Sequence, residues 1–258
     1  MLKPLATRAL ALLVTAGLLT VSASAAQPNQ DELAKLKDQV AQLNAQQLQI
    51  LASLDELKKI VRGPSAPALK PPPTMTVTGE LYKGEPAAKV AIIEYADFQC
   101  PYCRRFESQI YPNIRDNYIR TGKLKYYHRD MPLAFHQGAM PAARAVHCAS
   151  EQGKFWEMHD TLLGDAASLS PADIDQRASQ LGMDVPKLDQ CISSDRFADI
   201  IQRSINEASA MQVSGTPTFI IGTLDADGNL MSVKKTVVGA SPFEAFKAAI
   251  DPLLAAAN

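Results

Sequence analysis

The chain has 258 residues, 47 % of them apolar and 21 % charged, with a formal net charge of −1. That composition is ordinary for a globular protein and excludes disorder over most of the length. The slightly acidic balance lacks the basic excess of nucleic-acid binders, so no nucleic-acid partner is expected.

Residues 1–25 have the three-part layout of a secretory signal. Lys3 and Arg8 precede an apolar run over 9–21, and the small residues Ser-Ala-Ser-Ala-Ala come next. Cleavage is expected after Ala25 or Ala26 and would take the charge from −1 to −3 through loss of Lys3 and Arg8. The run is short for a membrane span, and no cysteine stands after it that could carry a lipid. Cysteines of an exported chain are expected to be oxidised or redox-active.

Residues 31–62 contain neither Gly nor Pro. Alternating steps of three and four pass through Leu33, Leu36, Val40, Leu43, Gln47, Ile50, Leu54, Leu57 and Val61, all apolar but Gln47. A seam held over about four heptads predicts a coiled coil. The alternative is an amphipathic helix lying on its own domain. Five prolines in the adjoining linker, 63–75, favour self-association, because a polyproline spacer holds the helix away from the next domain. Leu at three of four d positions and Val twice at a favour a dimer over a trimer, although Leu51 and Ile60 widen the apolar face.

From residue 76 to 256 the pattern alternates between strands and helices. A buried strand is expected over Val90–Tyr95, then a helix ending near Gly122 and a second strand over Leu124–His128. Several helices should fill an insertion at about 135–212, with starts at Pro141 and at Ser170-Pro-Ala-Asp and stops at Gly153, Gly164 and Gly182. Strands return at Thr218–Ile221 and Thr236–Val238 around an Asp227-Gly228 turn, and a helix over about 242–256 ends the chain. The fold class is α/β with an inserted helical subdomain. Asp225, Asp227 and Asn229 imitate a calcium loop, but Leu230 and Thr236 stand where Gly and Glu are needed, so this is a hairpin turn.

The cysteines lie at 100, 103, 148 and 191. Four cysteines allow three connectivities; with the C-x-x-C as local pair, Cys148 remains with Cys191. A zinc site lacks its second close pair, and covalent haem needs His where Arg104 stands. No metal is expected, and His128, His136, His147 and His159 lack a ligand spacing. A redox pair at a strand-to-helix junction fits better. Pro101 suits the first helical position, which makes Cys100 the N-cap, facing the positive end of the helix dipole. That position lowers a thiol pKa. Cys103, one turn on, is expected to be the more buried, resolving thiol, and Arg104 and Arg105 either add positive charge nearby or point to solvent.

Three motifs now stand in order: Glu-Tyr-Ala-Asp-Phe-Gln-Cys-Pro-Tyr-Cys-Arg-Arg-Phe (94–106), Gln-Gly-Lys-Phe-Trp-Glu-Met-His-Asp (152–160) and Val-Ser-Gly-Thr-Pro-Thr-Phe (213–219). Over about residues 76–256 the sequence resembles the DsbA-like branch of the thioredoxin superfamily, bacterial exported thiol–disulfide oxidoreductases. The resemblance implies a thioredoxin fold with an inserted helical subdomain, preceded here by the coiled-coil helix. It implies Cys100 as nucleophile, Cys103 as its partner, and Pro217 as a cis-proline freeing Thr216 to pair with substrate, beside Pro101 and Tyr102. Glu94 is implied as a buried acid beneath the disulfide, the alternative being a solvent-facing edge position. Lys123 and Lys125 are near in sequence, and neither is assigned as its basic partner. A Cys148–Cys191 staple is implied for the insertion, against a pair of buried free thiols. No cofactor is implied. Expected partners are unfolded or misfolded exported proteins and a membrane redox partner, either a DsbB-like oxidant or a DsbD-like reductant, in the periplasm of a Gram-negative bacterium. The oligomeric helix leans the reading towards a disulfide isomerase or mixed activity. A pure dithiol oxidase and a non-catalytic envelope protein or chaperone are the alternatives.

Overall fold

The computed structural model describes residues 30–62, 68–164 and 168–257, the backbone alone at 55–62. The expected signal at 1–25 and the first part of the linker lie outside these residues. The chain divides into two compact units at Gly63/Pro64. The described residues of the first form one helix, α1 (Gln30–Arg62). Asp31 and Glu32 in its first turn suit the helix dipole. Its Leu33, Leu36, Val40, Leu43, Ile50 and Leu54 are all exposed. Among the described residues, no helix is long and apolar enough to cross a membrane.

The second unit is built on a six-stranded mixed sheet of order β1-β6-β5-β3-β4-β2. Its strands are β1 (Thr74–Thr76), β2 (Tyr82–Lys83), β3 (Val90–Ala96), β4 (Leu124–Asp130), β5 (Thr218–Leu224) and β6 (Leu230–Val238). The apolar run at 90–96 became a central strand, buried on both faces, as such runs require. β3 pairs parallel with β4 and antiparallel with β5. β1 and β2, too short to carry a period, were not expected. The turn at 225–229 closes the β5–β6 hairpin, where Asp225 Oδ1 accepts from the N–H groups of Asn229 and Leu230. Gly222 sits at a bulge in that hairpin, and a Cβ there would lie 2.1 Å from the Ser232 carbonyl oxygen.

Strand alternation divides the core. Val90 and Ile92 face a cluster with Phe106, Ile114, Phe219 and Phe246, covered by the helical stretch 101–119 and by α9 (Phe243–Ala257). Ala91, Ile93 and Tyr95 face Met75, Ala208 and Met211. The stretch 101–119 runs as α2 (Pro101–Arg105), a π turn (Phe106–Ile110), α3 (Tyr111–Ile114) and a second π turn (Arg115–Ile119). Pro112 accounts for the first irregularity: it has no N–H to bond back one turn, and its ring crowds the carbonyl there.

The insertion comprises α4 (Ala139–Ser150), α5 (Phe155–Gly164), α6 (Pro171–Gln180), α7 (Val185–Ser193) and α8 (Ala198–Ala210). The Ser170 hydroxyl and Asp173 form a reciprocal capping box at the start of α6. α4 starts two residues before Pro141, which occupies its third position. Cys148 on α4 and Cys191 on α7 are joined by a disulfide with a Cα separation of 5.8 Å. They lie in one apolar cluster with Val146, Met158, Leu162 and Leu188. Phe98, Cys100 and Cys103 belong to that same cluster, so the C-x-x-C sits where the insertion meets the end of β3.

Candidate active site

β3 ends at Ala96, and a short loop delivers Cys100 to the N-cap of α2 with Pro101 at the first helical position. Asp97 holds that loop. Its Oδ1 accepts from the Gln99 N–H, and its Oδ2 accepts from the Leu133 N–H and contacts His136 Nδ1 at 2.8 Å. Cys100 and Cys103 are both free and buried, while Pro101 and Tyr102 between them are exposed. The Thr216–Pro217 peptide is cis. It lies against the thiols: Cys100 Sγ donates to the Thr216 carbonyl oxygen at 3.4 Å. The Asp97 N–H points at Cys103 Sγ from 3.5 Å.

The two thiols differ in acidity. Cys100 is lowered to about 5, first by the hydrogen bond from the Cys103 thiol, against the opposing effect of burial. The Thr216 hydroxyl and the N–H groups of Cys103 and Tyr102 add to the lowering. That hydroxyl is buried and makes no other hydrogen bond. Cys103 is pushed well above the ordinary thiol value, by burial first and then by its bond to Cys100 and the nearby Glu94. Arg105 turns to Gln109 on the next turn.

Glu94 is fully buried in the central strand, not on an edge. Burial raises it to about 8, against a hydrogen bond from the Tyr126 hydroxyl to Oε2. Its Oε1 has no partner. The basic group whose field reaches Glu94 is Lys83 on β2, not Lys123 or Lys125. Lys83 Nζ lies 2.7 Å from both oxygens of Asp160, and 4.8 and 5.0 Å from the rings of Trp156 and Tyr111. Glu107 is a second raised carboxyl, lifted to about 7 by burial and by Asp160. Lys125 instead lies over Tyr82.

The histidines, left without a role by sequence spacing, form part of this neighbourhood. His159 on α5 and His128 on β4 meet edge-on, with Nε2 to Nδ1 at 3.1 Å. His128 Nε2 reaches Asp130 Oδ1 at 3.2 Å, and Asp130 Oδ2 reaches His147 Nε2 at 2.6 Å. Only the parallel register, which sets Glu94 opposite His128, brings this pair beneath the dithiol. No one-dimensional spacing carries that signal.

A thioredoxin family model matches residues 76–251. Among solved structures, the chain resembles Wolbachia pipientis alpha-DsbA1 at TM-score 0.61 and 26 % identity, covering 71 % of this chain and 94 % of that one. It resembles BdbD from Bacillus subtilis at TM-score 0.61 and 20 % identity, covering 73 % and 98 %, a likeness of fold. Among curated proteins, Na(+)/H(+) antiporter NhaA 3 of Salinispora tropica is 39 % identical over 140 residues, 54 % of this chain. This chain spans about a fifth of the length of that relative, 21 %. The DsbA-like resemblance read from the three motifs is thus present in the fold, and the matched segment holds the dithiol, Glu94 and the cis-proline. The chain belongs to the thioredoxin family.

Proposed function

We propose that the protein is an exported thiol–disulfide oxidoreductase that acts on disulfides of other exported proteins, with a lean towards isomerisation. The observation that carries this reading is the pair of unlike thiols at the head of α2, one held ionised at neutral pH and the other held protonated. The Cys100 thiolate attacks one sulfur of a substrate disulfide, forms a mixed disulfide and releases the other sulfur as thiolate. The exposed ring of Tyr102 and the Thr216 backbone flank the approach. Cys103 then attacks Cys100 Sγ, closing the C-x-x-C disulfide and releasing the substrate reduced. Run backwards, the same steps oxidise a substrate dithiol. When a substrate thiolate resolves the mixed disulfide instead, the substrate is isomerised with no net redox change. Cys103 must lose its proton to attack. Glu94, uncharged at neutral pH until it ionises at about 8, exchanges that proton from within the core.

The lean towards isomerase rests on α1. Its apolar stripe is exposed along the single chain, and a second copy is the partner that a heptad seam fits. Two linked active sites hold a misfolded chain at high effective concentration. A dithiol oxidase remains the second reading, favoured by the low Cys100 pKa, because a stabilised thiolate is a good leaving group. Export and periplasmic residence are supported by the signal-like residues 1–25 and by the resemblance alone. The antiport named for the curated relative is not carried over. Insulin reduction and refolding of scrambled ribonuclease test the reading. Turnover that depends on Cys100 is expected in both, and no turnover in either would leave only the non-catalytic scaffold.

A further inference from the structure

Beneath the dithiol, Glu94, His128 and His159 come from three different elements and present one ligand atom each, all within 4.8 Å of one another. All three residues are buried, and their surroundings have the features of a metal centre. Each histidine is oriented from behind by a carboxylate: His159 Nδ1 lies 2.8 Å from Asp160 Oδ1, and His128 Nε2 lies 3.2 Å from Asp130 Oδ1. Carboxylates behind both rings are the usual arrangement for histidine ligands. They accept only, so the hydrogens of neutral rings sit on those outer nitrogens. The inner nitrogens, 3.1 Å apart, then face each other as lone pairs, a contact that is unfavourable unless a proton or a cation lies between them. Glu94 adds a carboxyl whose Oε1 is buried without a partner, a cost that a cation removes.

We propose that Glu94, His128 and His159 form a binding site for one divalent transition-metal ion of the zinc class. Two imidazoles and a carboxylate are a donor set for zinc, with a fourth position left for another ligand. Phe98 packs against both rings, with centroids 5.2 and 5.7 Å away, and keeps the site dry. On its outer side His128 lines a cavity of about 720 Å³ together with Asp130 and His147. The ion competes with protons, because Glu94 must ionise and the facing nitrogens must both be free. A bound ion holds the carboxylate that would exchange the Cys103 proton and so slows closure of the C-x-x-C disulfide. That consequence, unlike the binding itself, rests on the proposed role of Glu94.

The test uses the full chain with Cys100→Ser and Cys103→Ser, so that thiols cannot bind the metal. Cobalt(II) is titrated at pH 8, monitored by visible absorption, then displaced by zinc. One ion per chain is expected, and His128→Gln and His159→Gln should each weaken binding at least about tenfold, while His136→Gln leaves it unchanged. Absence of stoichiometric binding, or equal binding by the His128 and His159 variants, overturns the site. If those variants do not fold, calorimetry of zinc binding at pH 7 in buffers of different ionisation enthalpy decides. Release of about one proton per ion supports the site and release of none overturns it. Because thiol-free protein is used, failure of the exchange reading leaves this result untouched. With the thiols restored, slower ribonuclease refolding under zinc would add the functional consequence.

Discussion

The acidity of Cys100 shows itself in the pH profile of its reactivity more than in its rate at neutral pH. Against an ordinary thiol pKa of about 8.5, a value of about 5 raises the thiolate fraction at pH 7 about 30-fold. Intrinsic nucleophilicity falls with basicity, and a Brønsted coefficient of about 0.4–0.5 over that shift removes roughly 25- to 55-fold. The two nearly cancel at pH 7. At pH 5.5 the fraction gained is about 750-fold and the net advantage roughly 20-fold. Alkylation of reduced protein by iodoacetamide should therefore be flat from pH 6 to 8 and fall below pH 5. Cys103→Ala removes the largest lowering influence, the hydrogen bond from Cys103. The pKa of Cys100 should rise in that variant yet stay below ordinary, since the Thr216 hydroxyl and the helix N–H groups remain. The variant should react more slowly than wild type at pH 5.5. A wild-type rate that climbs about tenfold per pH unit through 6–8, or a Cys103→Ala profile identical to wild type, would refute the account of the thiolate.

Three further outcomes are expected. Replacing Cys148 and Cys191 together by Ala opens a loop of 43 residues and should cost about 4 kcal/mol in urea unfolding; mass spectrometry finding two free thiols in exported protein would remove the premise. Burial holds the proton on native Glu94 up to about 8, whereas the unfolded carboxyl releases it near the ordinary value of 4.5. Native protein thus binds the extra proton in that window, and stability falls as pH rises through it. Glu94→Gln, measured by Tm with chelator present, should gain on wild type between pH 5 and 8.5, and an equal difference at both pH values would contradict the buried acid. Leu43→Glu with Leu54→Glu places carboxylates in the proposed seam. The variant should sediment as a monomer that oxidises dithiols normally and isomerises poorly, and an unchanged oligomer would sink the coiled coil.

What could be read from the sequence was whatever a local pattern carries. The central strand was visible because residues 90–95 are continuously apolar apart from Glu94, and that one charged exception is what made the acid conspicuous. The head of α2 was visible because Pro101 fixes the first helical position and so makes Cys100 the cap. The capping box at Ser170 and the hairpin at 225–229 are likewise complete within a few residues. Lys83 was hidden for the opposite reason. It stands on a two-residue strand with no period to detect, and it reaches the site only because β2 pairs with β4 at Tyr82↔Tyr127 and Lys83↔Tyr126.

The histidines make the sharper case, because the same register that hides them from the sequence decides their chemistry. Parallel pairing sets His128 beside Glu94, and packing of α5 brings His159 onto His128. Neither ring alone would matter. Burial lowers His159 to about 3, and His128 contributes to that lowering, so this imidazole is neutral at neutral pH. Asp130, by contrast, stays ionised although burial opposes it, held down by His147 and His128. His159, backed by Asp160, whose carboxyl, although burial opposes it, is held below its ordinary value by His159 and Lys83, offers an electron pair inward, towards the Glu94 carboxyl. Cys103, whose thiol pKa Glu94 helps to raise, holds a proton that in the proposed mechanism it must lose before the C-x-x-C closes. In that reading one carboxyl serves both a thiol that needs an acceptor and the pair of imidazoles beside it. Under the proposed exchange role of Glu94, occupancy of that carboxyl by proton or by metal would set how readily the resolving step runs.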